Sequence, residues 1–216
     1  MIKGKFITFE GGEGVGKSTQ VKILAEKLSE AGIDVVLTRE PGGSPGAEEI
    51  RALLVTGGTD KWQPMTEALL HNAARAEHLD KTIKPALDAG KWVISDRYAD
   101  STLAYQGYGQ GVSVDTLLEL HKISTGDFWP GLTIILDGNE LARAQKREQE
   151  NTDKEDRYER MGDVFHAKLQ ASFRDIAEKN PDRCVIVSAN GTIEEVAERV
   201  WQAVKDFDTS LCRRPE

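Results

Sequence analysis

The strongest chemical signal in the sequence is a glycine-rich stretch near the N-terminus, residues 9–19, which reads FEGGEGVGKST. It matches the pattern G-x-x-x-x-G-K-[ST], whose glycines let consecutive backbone N–H groups turn toward the phosphates of a nucleotide. The pattern assigns Lys17 to the β- and γ-phosphates and Ser18 to Mg²⁺. We therefore predict a nucleoside triphosphate site made of Gly11, Gly12, Glu13, Gly14, Val15, Gly16, Lys17, Ser18 and Thr19.

Charged residues also follow the short apolar runs that we interpret as strands. Asp96 ends one such run, at the position from which an aspartate organises Mg²⁺ and its waters, although many aspartates there only cap the next helix. Arg97 follows it, and a guanidinium fork matches phosphate oxygens in pairs. Lys17, Asp96 and Arg97 are therefore candidate catalytic residues, with Ser18 and Asp96 as candidate metal ligands.

Two polar segments have the groups to read a ligand, but each also has a simpler interpretation. His71 and Arg75 lie four residues apart in a helical segment, so they share one face, as residues of a solvated polar face also do. The segment 100–111 carries amide, hydroxyl and aromatic groups suited to the edge of a base. A polar turn would have the same composition.

The stretch 140–159 begins with a helical pattern and then becomes wholly hydrophilic. Segments as charged as this are usually exposed linkers. Beside a phosphate-binding loop, a mobile basic flap at about residues 143–158 would instead close over the triphosphate, exclude water and supply cations. The pattern by itself leaves both interpretations open.

Five apolar runs alternate with helical segments and would hold these residues in place. Continuous β-rich runs separated by helices are typical of a parallel sheet buried on both faces. The predicted strands are 5–9, 35–38, 92–95, 132–136 and 184–187. The predicted helices are 17–31, 47–56, 64–89, 113–125, 139–149, 157–179 and 193–207, and Pro85 is expected to kink or end the third. The predicted fold class is α/β, a doubly wound five-stranded parallel sheet with helices on both faces and ligands beyond the carboxyl ends of the strands.

Size and charge limit the possible functions. The chain has 216 residues and a net charge of −8, which argues against a general nucleic-acid binder. Its two cysteines, Cys184 and Cys212, have no metal-ligand spacing and fit a reduced compartment. No run approaches the length of a membrane span, so we expect a cytoplasmic protein without a membrane partner. We expect one domain at 1–207, including the flap, and a C-terminal tail at 208–216.

In the order of its motifs, the sequence resembles the thymidylate kinase family, P-loop enzymes that phosphorylate dTMP with ATP. The matching segments are 9–19, 38–43 (TREPGG), 50–54 (IRALL), 73–75 (AAR), 96–98 (DRY), 101–107 (STLAYQG) and 156–159 (DRYE). The resemblance implies the fold of the P-loop nucleoside monophosphate kinases, ATP and dTMP as substrates, Mg²⁺ as cofactor, and a homodimer. Gly14 and Val15 stand where some members carry an arginine, so the chain is similar to the members whose basic residues lie in the flap.

The resemblance also implies roles for single residues. Arg97 is the arginine that clamps the acceptor monophosphate, and Arg75 is the one that binds the thymine carbonyl. Lys146 and Arg147 become the catalytic cations of the flap, with Arg147 or Arg143 packed against adenine in the ATP site. The implied acceptor site is Glu13, Glu40, Arg51, His71, Arg75, Arg97, Ser101, Tyr105, Gln106 and Tyr158.

Two departures from the family pattern bear on the choice of base. His71 stands where bacterial members usually carry a phenylalanine that stacks on thymine, and Gln110 stands where some members carry an arginine near the acceptor. An imidazole is smaller and more polar than a phenyl ring. We therefore hypothesise that dUMP or another pyrimidine monophosphate is tolerated better than usual.

Two other functions compete with this interpretation. A nucleotide-dependent switch would need the guanine-reading motif Asn-Lys-x-Asp and the switch motif Asp-x-x-Gly, and neither occurs in the sequence. A P-loop kinase for another nucleoside monophosphate would use the same loop. The acceptor-side arginines favour a phosphorylated acceptor over a neutral nucleoside.

Overall fold

The computed structural model describes residues 4–138 and 163–213. The strands are β1 (Phe6–Glu10), β2 (Val35–Arg39), β3 (Trp92–Asp96), β4 (Leu132–Asp137) and β5 (Cys184–Ser188). The helices are α1 (Lys17–Glu30), α2 (Pro45–Val55), α3 (Pro64–His78), α4 (Lys84–Asp88), α5 (Ala99–Thr102), α6 (Val114–Thr125), α7 (Asp163–Lys179) and α8 (Ile193–Phe207). Two π-helical segments, Leu79–Ile83 and Leu103–Gly109, and a 3₁₀ segment, Thr209–Arg213, complete the elements of the described residues.

The five strands form one parallel sheet in the order β2-β3-β1-β4-β5, which confirms the predicted fold class. Parallel neighbours cannot be joined by a hairpin, so helices connect them across the faces of the sheet. From β1 the chain moves to one side for β2 and β3, and to the other side for β4 and β5. This change of direction opens a crevice at the carboxyl end of β1, where ligands of such sheets bind.

Alternate residues of the central strand pack on opposite faces of the sheet. Ile7 and Phe9 of β1 pack in one apolar cluster with Leu24 of α1 and Val200 of α8. Phe6 points the other way and joins a second cluster. Each fully buried side chain of this kind stabilises the fold by about 1.5–3 kcal/mol. The sheet is therefore held between two helical layers and presents a rigid edge to the crevice.

Local sequence signals explain where several helices begin. Pro45 and Pro64 occupy the first turns of α2 and α3, where a missing N–H costs no helical hydrogen bond. At the start of α8, the Thr192 hydroxyl accepts from the Glu195 N–H and the Glu195 carboxylate accepts from the Thr192 N–H. This capping box satisfies two backbone donors that the helix itself cannot pair.

Two stretches differ from the prediction. The predicted helix 64–89 changes to π-helical hydrogen bonding at Leu79–Ile83 and resumes as α4. Pro85 has no N–H to bond the carbonyl four residues before it, and the wider turn lies just ahead of it. The segment 100–111, for which a polar turn was one interpretation, is helical from Ala99 to Gly109.

The remaining boundaries agree with the prediction to within a few residues, where the chain is described. The predicted helix 139–149 and the first part of the predicted helix 157–179 lie outside the described residues. In the two ranges that the structure covers, no helix has the length and apolar character needed to cross a membrane.

Candidate active site

Two adjoining cavities lie at the carboxyl ends of β1, β2 and β3. Counting the space open to solvent, the first is the larger, with a volume of about 980 Å³, and the second, which the glycine-rich loop borders, has about 720 Å³. Both are lined by Glu13, Ser18, Asp96 and Arg97. The first is also lined by Arg39, Glu40, Pro41, Arg51, His71, Arg75, Tyr98, Ser101, Tyr105 and Gln106. The second is also lined by Gly14, Gly16, Lys17 and Thr19.

The glycine-rich loop connects β1 to α1 and turns sharply at glycines. Gly11 has φ 127°, and a Cβ at this position would overlap the carbonyl oxygen of Leu136. Lys17, the first residue of α1, donates from Nζ to the carbonyl oxygens of Gly12 at 2.7 Å and Gly11 at 3.2 Å. Burial, followed by the charge of Arg97, lowers the pKa of Lys17 to about 8. The ammonium thus lies inside the loop, within reach of any anion that the loop's N–H groups hold.

Ser18 and Asp96 meet where the two cavities join. The Ser18 hydroxyl donates to Asp96 Oδ2 at 2.7 Å. A hydroxyl oxygen and a carboxylate oxygen are the ligand types that Mg²⁺ prefers, and Mg²⁺ needs only one or two such protein ligands beside waters and phosphates. The two residues therefore fit the metal role that the sequence predicts for them.

Arg97 is held by four hydrogen bonds between the cavities. Its Nη1 donates to Gly11 O at 3.2 Å and to Ser101 Oγ at 3.1 Å, and its Nη2 donates to Glu13 Oε1 at 2.7 Å and to Tyr105 OH at 2.9 Å. The Tyr105 hydroxyl in turn donates to Glu13 Oε1 at 2.6 Å. Burial favours the neutral form of Glu13, but the charges of Arg97 and Lys17 outweigh it and lower its pKa to about 2. The result is a compact ion pair bridged by a phenol.

The backbone at Arg97 adopts a left-handed turn that places this side chain. Its φ is 73°, a value that is uncommon for a residue with a Cβ. The carboxylate of Glu10, which is fully buried, accepts from the N–H of Tyr98 at 2.8 Å and from the Ser101 hydroxyl at 2.6 Å. Burial and then the charge of Asp100 raise the pKa of Glu10 to about 7. The last residue of β1 thus fixes the turn after β3.

Arg75 of α3 is 2% exposed and donates four hydrogen bonds to residues that the structure describes. Its Nε donates to Glu40 Oε2 at 2.9 Å, and its Nη2 donates to Thr102 Oγ1 at 2.9 Å. The other two bonds join Nη2 to the carbonyl of Tyr98 and Nη1 to Asn72 Oδ1. Because a guanidinium carries five N–H donors, these bonds leave one Nη1 hydrogen for a ligand.

Neighbouring residues complete the wall of the larger cavity. Arg51 donates from Nη1 to the carbonyl of Pro41 at 2.7 Å. Burial and the charges of Arg75, Arg97 and Arg51 lower the pKa of His71 to about 3. Its imidazole is therefore neutral at pH 7 and offers an uncharged flat surface. Gln106 is 1% exposed and donates from Nε2 to Glu67 Oε2 at 3.1 Å.

The structure brings together the predicted site residues that it describes. Gly11, Gly12 and Val15 are the buried residues of the loop, and the other predicted loop and acceptor residues that are described line the cavities. The predictions for Arg143, Lys146, Arg147 and Tyr158 lie outside the described residues.

Sequence reasoning missed the residues that support the site from below. They are Glu67, Asn72, His78, Tyr98 and Thr102. One signal was available for two of them, Glu67 and His78, because positions 67, 71, 75 and 78 recur at helical spacing on one face of α3.

Comparisons with known proteins agree on one family. The family model described as thymidylate kinase matches residues 9–200. A thymidylate kinase from Rhizorhabdus wittichii is 46% identical over 95% of this chain and 99% of its own length. One from Caulobacter vibrioides is 46% identical over 94% of this chain and 97% of its own length. A crystal structure of thymidylate kinase from Ehrlichia chaffeensis superposes with a TM-score of 0.74 and 38% identity, covering 94% of this chain and 99% of that one.

Proposed function

This chain belongs to the thymidylate kinase family, and from that premise we propose how its two cavities carry out the ATP-dependent phosphorylation of dTMP to dTDP. The cavity beside the glycine-rich loop holds the triphosphate, and the larger cavity holds the monophosphate. One observation carries this assignment: Glu13, Ser18, Asp96 and Arg97 line both cavities. Donor and acceptor phosphates would therefore meet end to end at these residues.

The reaction needs positioning and charge neutralisation more than it needs a base. An acceptor phosphate is already anionic at neutral pH, so its oxygen can attack the γ-phosphorus in line without losing a proton to the protein. Lys17 binds the β- and γ-phosphates of ATP, and Arg97 binds the acceptor phosphate. Their positive charges offset the repulsion between the two anions and the charge that spreads over the transferring group.

Mg²⁺ is part of this proposal. The Ser18 hydroxyl and the Asp96 carboxylate, 2.7 Å apart, would hold it. When bound, the ion neutralises charge on the β- and γ-phosphates. Asp96 is also the last residue of β3, so its carboxylate is positioned by the sheet rather than by a loop.

For the acceptor base, we assign the thymine carbonyl to the remaining Nη1 hydrogen of Arg75. The assignment is supported by the burial of Arg75 and by its four internal hydrogen bonds, which leave it little freedom to move. Glu40, Arg51, Ser101, Tyr105 and Gln106 remain proposed acceptor-site residues because they line the same cavity.

His71 is the proposed source of relaxed selectivity toward dUMP. Its ring is neutral, which suits stacking on a pyrimidine, but it covers less area than a phenyl ring. The 5-methyl group of thymine would therefore gain less from this contact than it gains from phenylalanine.

The predicted roles at the ATP and acceptor sites are kept for Arg143, Lys146, Arg147 and Tyr158. Substitution of each residue in turn tests them.

We also propose a homodimer, as the family resemblance implies. The support is a set of exposed apolar side chains on α2, α3 and α6, helices that pack side by side. They are Leu53, Met65, Leu69, Leu118 and Ile123. Sedimentation equilibrium at micromolar concentration should give twice the chain mass, and a monomer would contradict the proposal.

We place the protein in the cytoplasm, which agrees with the buried free thiol of Cys184.

The test of the function is ADP release measured in a coupled assay with MgATP and a panel of nucleosides and nucleoside monophosphates. We expect the highest kcat/KM with dTMP, measurable turnover with dUMP and none with thymidine. Rapid ADP release without an acceptor would support an ATPase instead. A higher kcat/KM with a purine monophosphate would contradict the assignment of the acceptor.

A further inference from the structure

Glu67 is a buried carboxylate that lies behind the larger cavity. It belongs to α3, four residues before His71, and it is 0% exposed. Two side-chain amides from the π-helical segment and its end donate to its Oε2: Gln106 Nε2 at 3.1 Å and Gln110 Nε2 at 2.9 Å. Glu67 is therefore the common hydrogen-bond acceptor for two glutamines.

The carboxylate determines which way the Gln106 amide is turned. A carboxylate only accepts hydrogen bonds, so the NH₂ group of Gln106 must face Glu67. The reverse orientation would place the Gln106 carbonyl oxygen against a second acceptor and would lose the hydrogen bond. In the part of the chain that is described, Gln106 Oε1 is buried and has no hydrogen-bond partner. Such an atom is costly unless a ligand satisfies it.

Gln106 lines the larger cavity, whereas Gln110 does not. We propose that Glu67 is a positioning residue that fixes the Gln106 amide so that its oxygen, a hydrogen-bond acceptor, reads the edge of the pyrimidine. This inference rests on the proposed function of the cavity. It extends that function to a residue that does not touch the substrate.

The ligand class follows from the polarity of the base edge. Thymine and uracil carry an N–H at ring position 3, which can donate to Gln106 Oε1. Cytosine carries a lone pair at that position and an amino group in place of the neighbouring carbonyl. The lone pair would oppose the Gln106 oxygen, and the amino group would oppose the donor Nη1 of Arg75. The pair of Glu67 and Gln106 therefore selects keto-pyrimidines against cytosine.

The decisive variant is Glu67→Gln, which keeps the size of the side chain but can both donate and accept. Its own NH₂ would then tolerate a reversed Gln106, and the oxygen would no longer be fixed toward the base. We expect the ratio of kcat/KM for dTMP to that for dCMP to fall about tenfold or more, since a mismatched buried polar group is the source of such discrimination. The matched control is Gln110→Met, which removes the other amide and should leave the ratio within about twofold.

Two further measurements separate the possible failures. If wild-type protein does not phosphorylate dTMP, the proposed function fails before this inference is tested. If wild type is active but Glu67→Gln loses activity equally on dTMP and dCMP, Glu67 has only a structural role and the inference is overturned. If Glu67→Gln does not fold, the reversed pair Glu67→Gln with Gln106→Glu restores an amide and a carboxylate. That double variant should keep the preference for dTMP over dCMP. Loss of this preference in the double variant would overturn the inference.

Discussion

Tyr105→Phe should weaken acceptor binding and transfer although it removes a single oxygen atom. In the structure this hydroxyl accepts from Arg97 Nη2 at 2.9 Å and donates to Glu13 Oε1 at 2.6 Å. Both partners are charged, and Tyr105 is only 5% exposed, so water cannot easily replace the hydroxyl. Hydrogen bonds to charged groups contribute about 1.5–3 kcal/mol each. The phenyl ring itself would stay in place.

We assume that removing the hydroxyl weakens the positioning of Arg97 by the contribution of one such hydrogen bond. At about 1.4 kcal/mol for each factor of ten, kcat/KM for dTMP should fall about 10- to 100-fold. The KM for ATP should change by less than about twofold, because Tyr105 lines only the larger cavity. Steady-state ADP release, with dTMP varied at saturating MgATP and then the reverse, measures both values.

The control is Tyr108→Phe, in the same helical segment. Its hydroxyl bonds Asp175 and Lys179 at the protein surface, and these two residues also pair directly at 2.7 Å. Exposed contacts of this kind contribute little, so Tyr108→Phe should keep wild-type kinetics. If Tyr105→Phe also stays within about twofold of wild type, the phenol does not position Arg97 and the reasoning is refuted.

Three further predictions test other parts of the site. Lys17→Ala should lower turnover about 100-fold or more while far-UV circular dichroism stays unchanged, and retention of more than about a tenth of the activity would contradict its role. His71→Phe should raise the ratio of kcat/KM for dTMP over dUMP, and an unchanged ratio would show that this ring does not set selectivity. Because the pKa of Glu10 is raised from 4.5 to about 7 in the folded state, its neutral form is favoured by folding. Its contribution to stability is therefore full below about pH 4.5 and is lost as pH rises through about 7. Urea unfolding from pH 4.5 to 8 should show this decline relative to Glu10→Gln, and parallel curves would rule it out.

The sequence was sufficient for the sheet because each buried strand is a continuous apolar run. Runs such as 92–95 and 132–136 have no exposed face, and each strand ends one residue after its run, at Asp96 and Asp137. The segment 99–109 was harder to predict. Its helical face carries Ser101, Tyr105 and Gln106, which point polar groups into a cavity rather than apolar groups into a core, and Gly107 and Gly109 weaken its helical propensity.

The same distinction applies to the site. Lys17 and Ser18 follow from a local pattern, and Asp96 and Arg97 follow from the end of a strand. The partners of Arg75 cannot be predicted from a local pattern, because Glu40 lies 35 residues away along the chain and Thr102 lies 27 residues away. Their proximity depends on the order of the strands in the sheet. The orientation of the Gln106 amide depends on a carboxylate from another helix, which spacing within one segment cannot reveal.

The ion pair between Glu13 and Arg97 has a consequence for which molecules can occupy the acceptor cavity. A phosphate that approaches Arg97 meets a guanidinium whose terminal N–H groups are already satisfied by the protein, so docking is an exchange of one anion for another. A carboxylate carries a single negative charge. We expect a singly charged anion such as chloride or a carboxylate to displace Glu13 from Arg97 poorly. A doubly charged phosphate monoester should displace it well. Glu13 thus competes with every anion for Arg97, and this competition favours ligands with two negative charges over ligands with one.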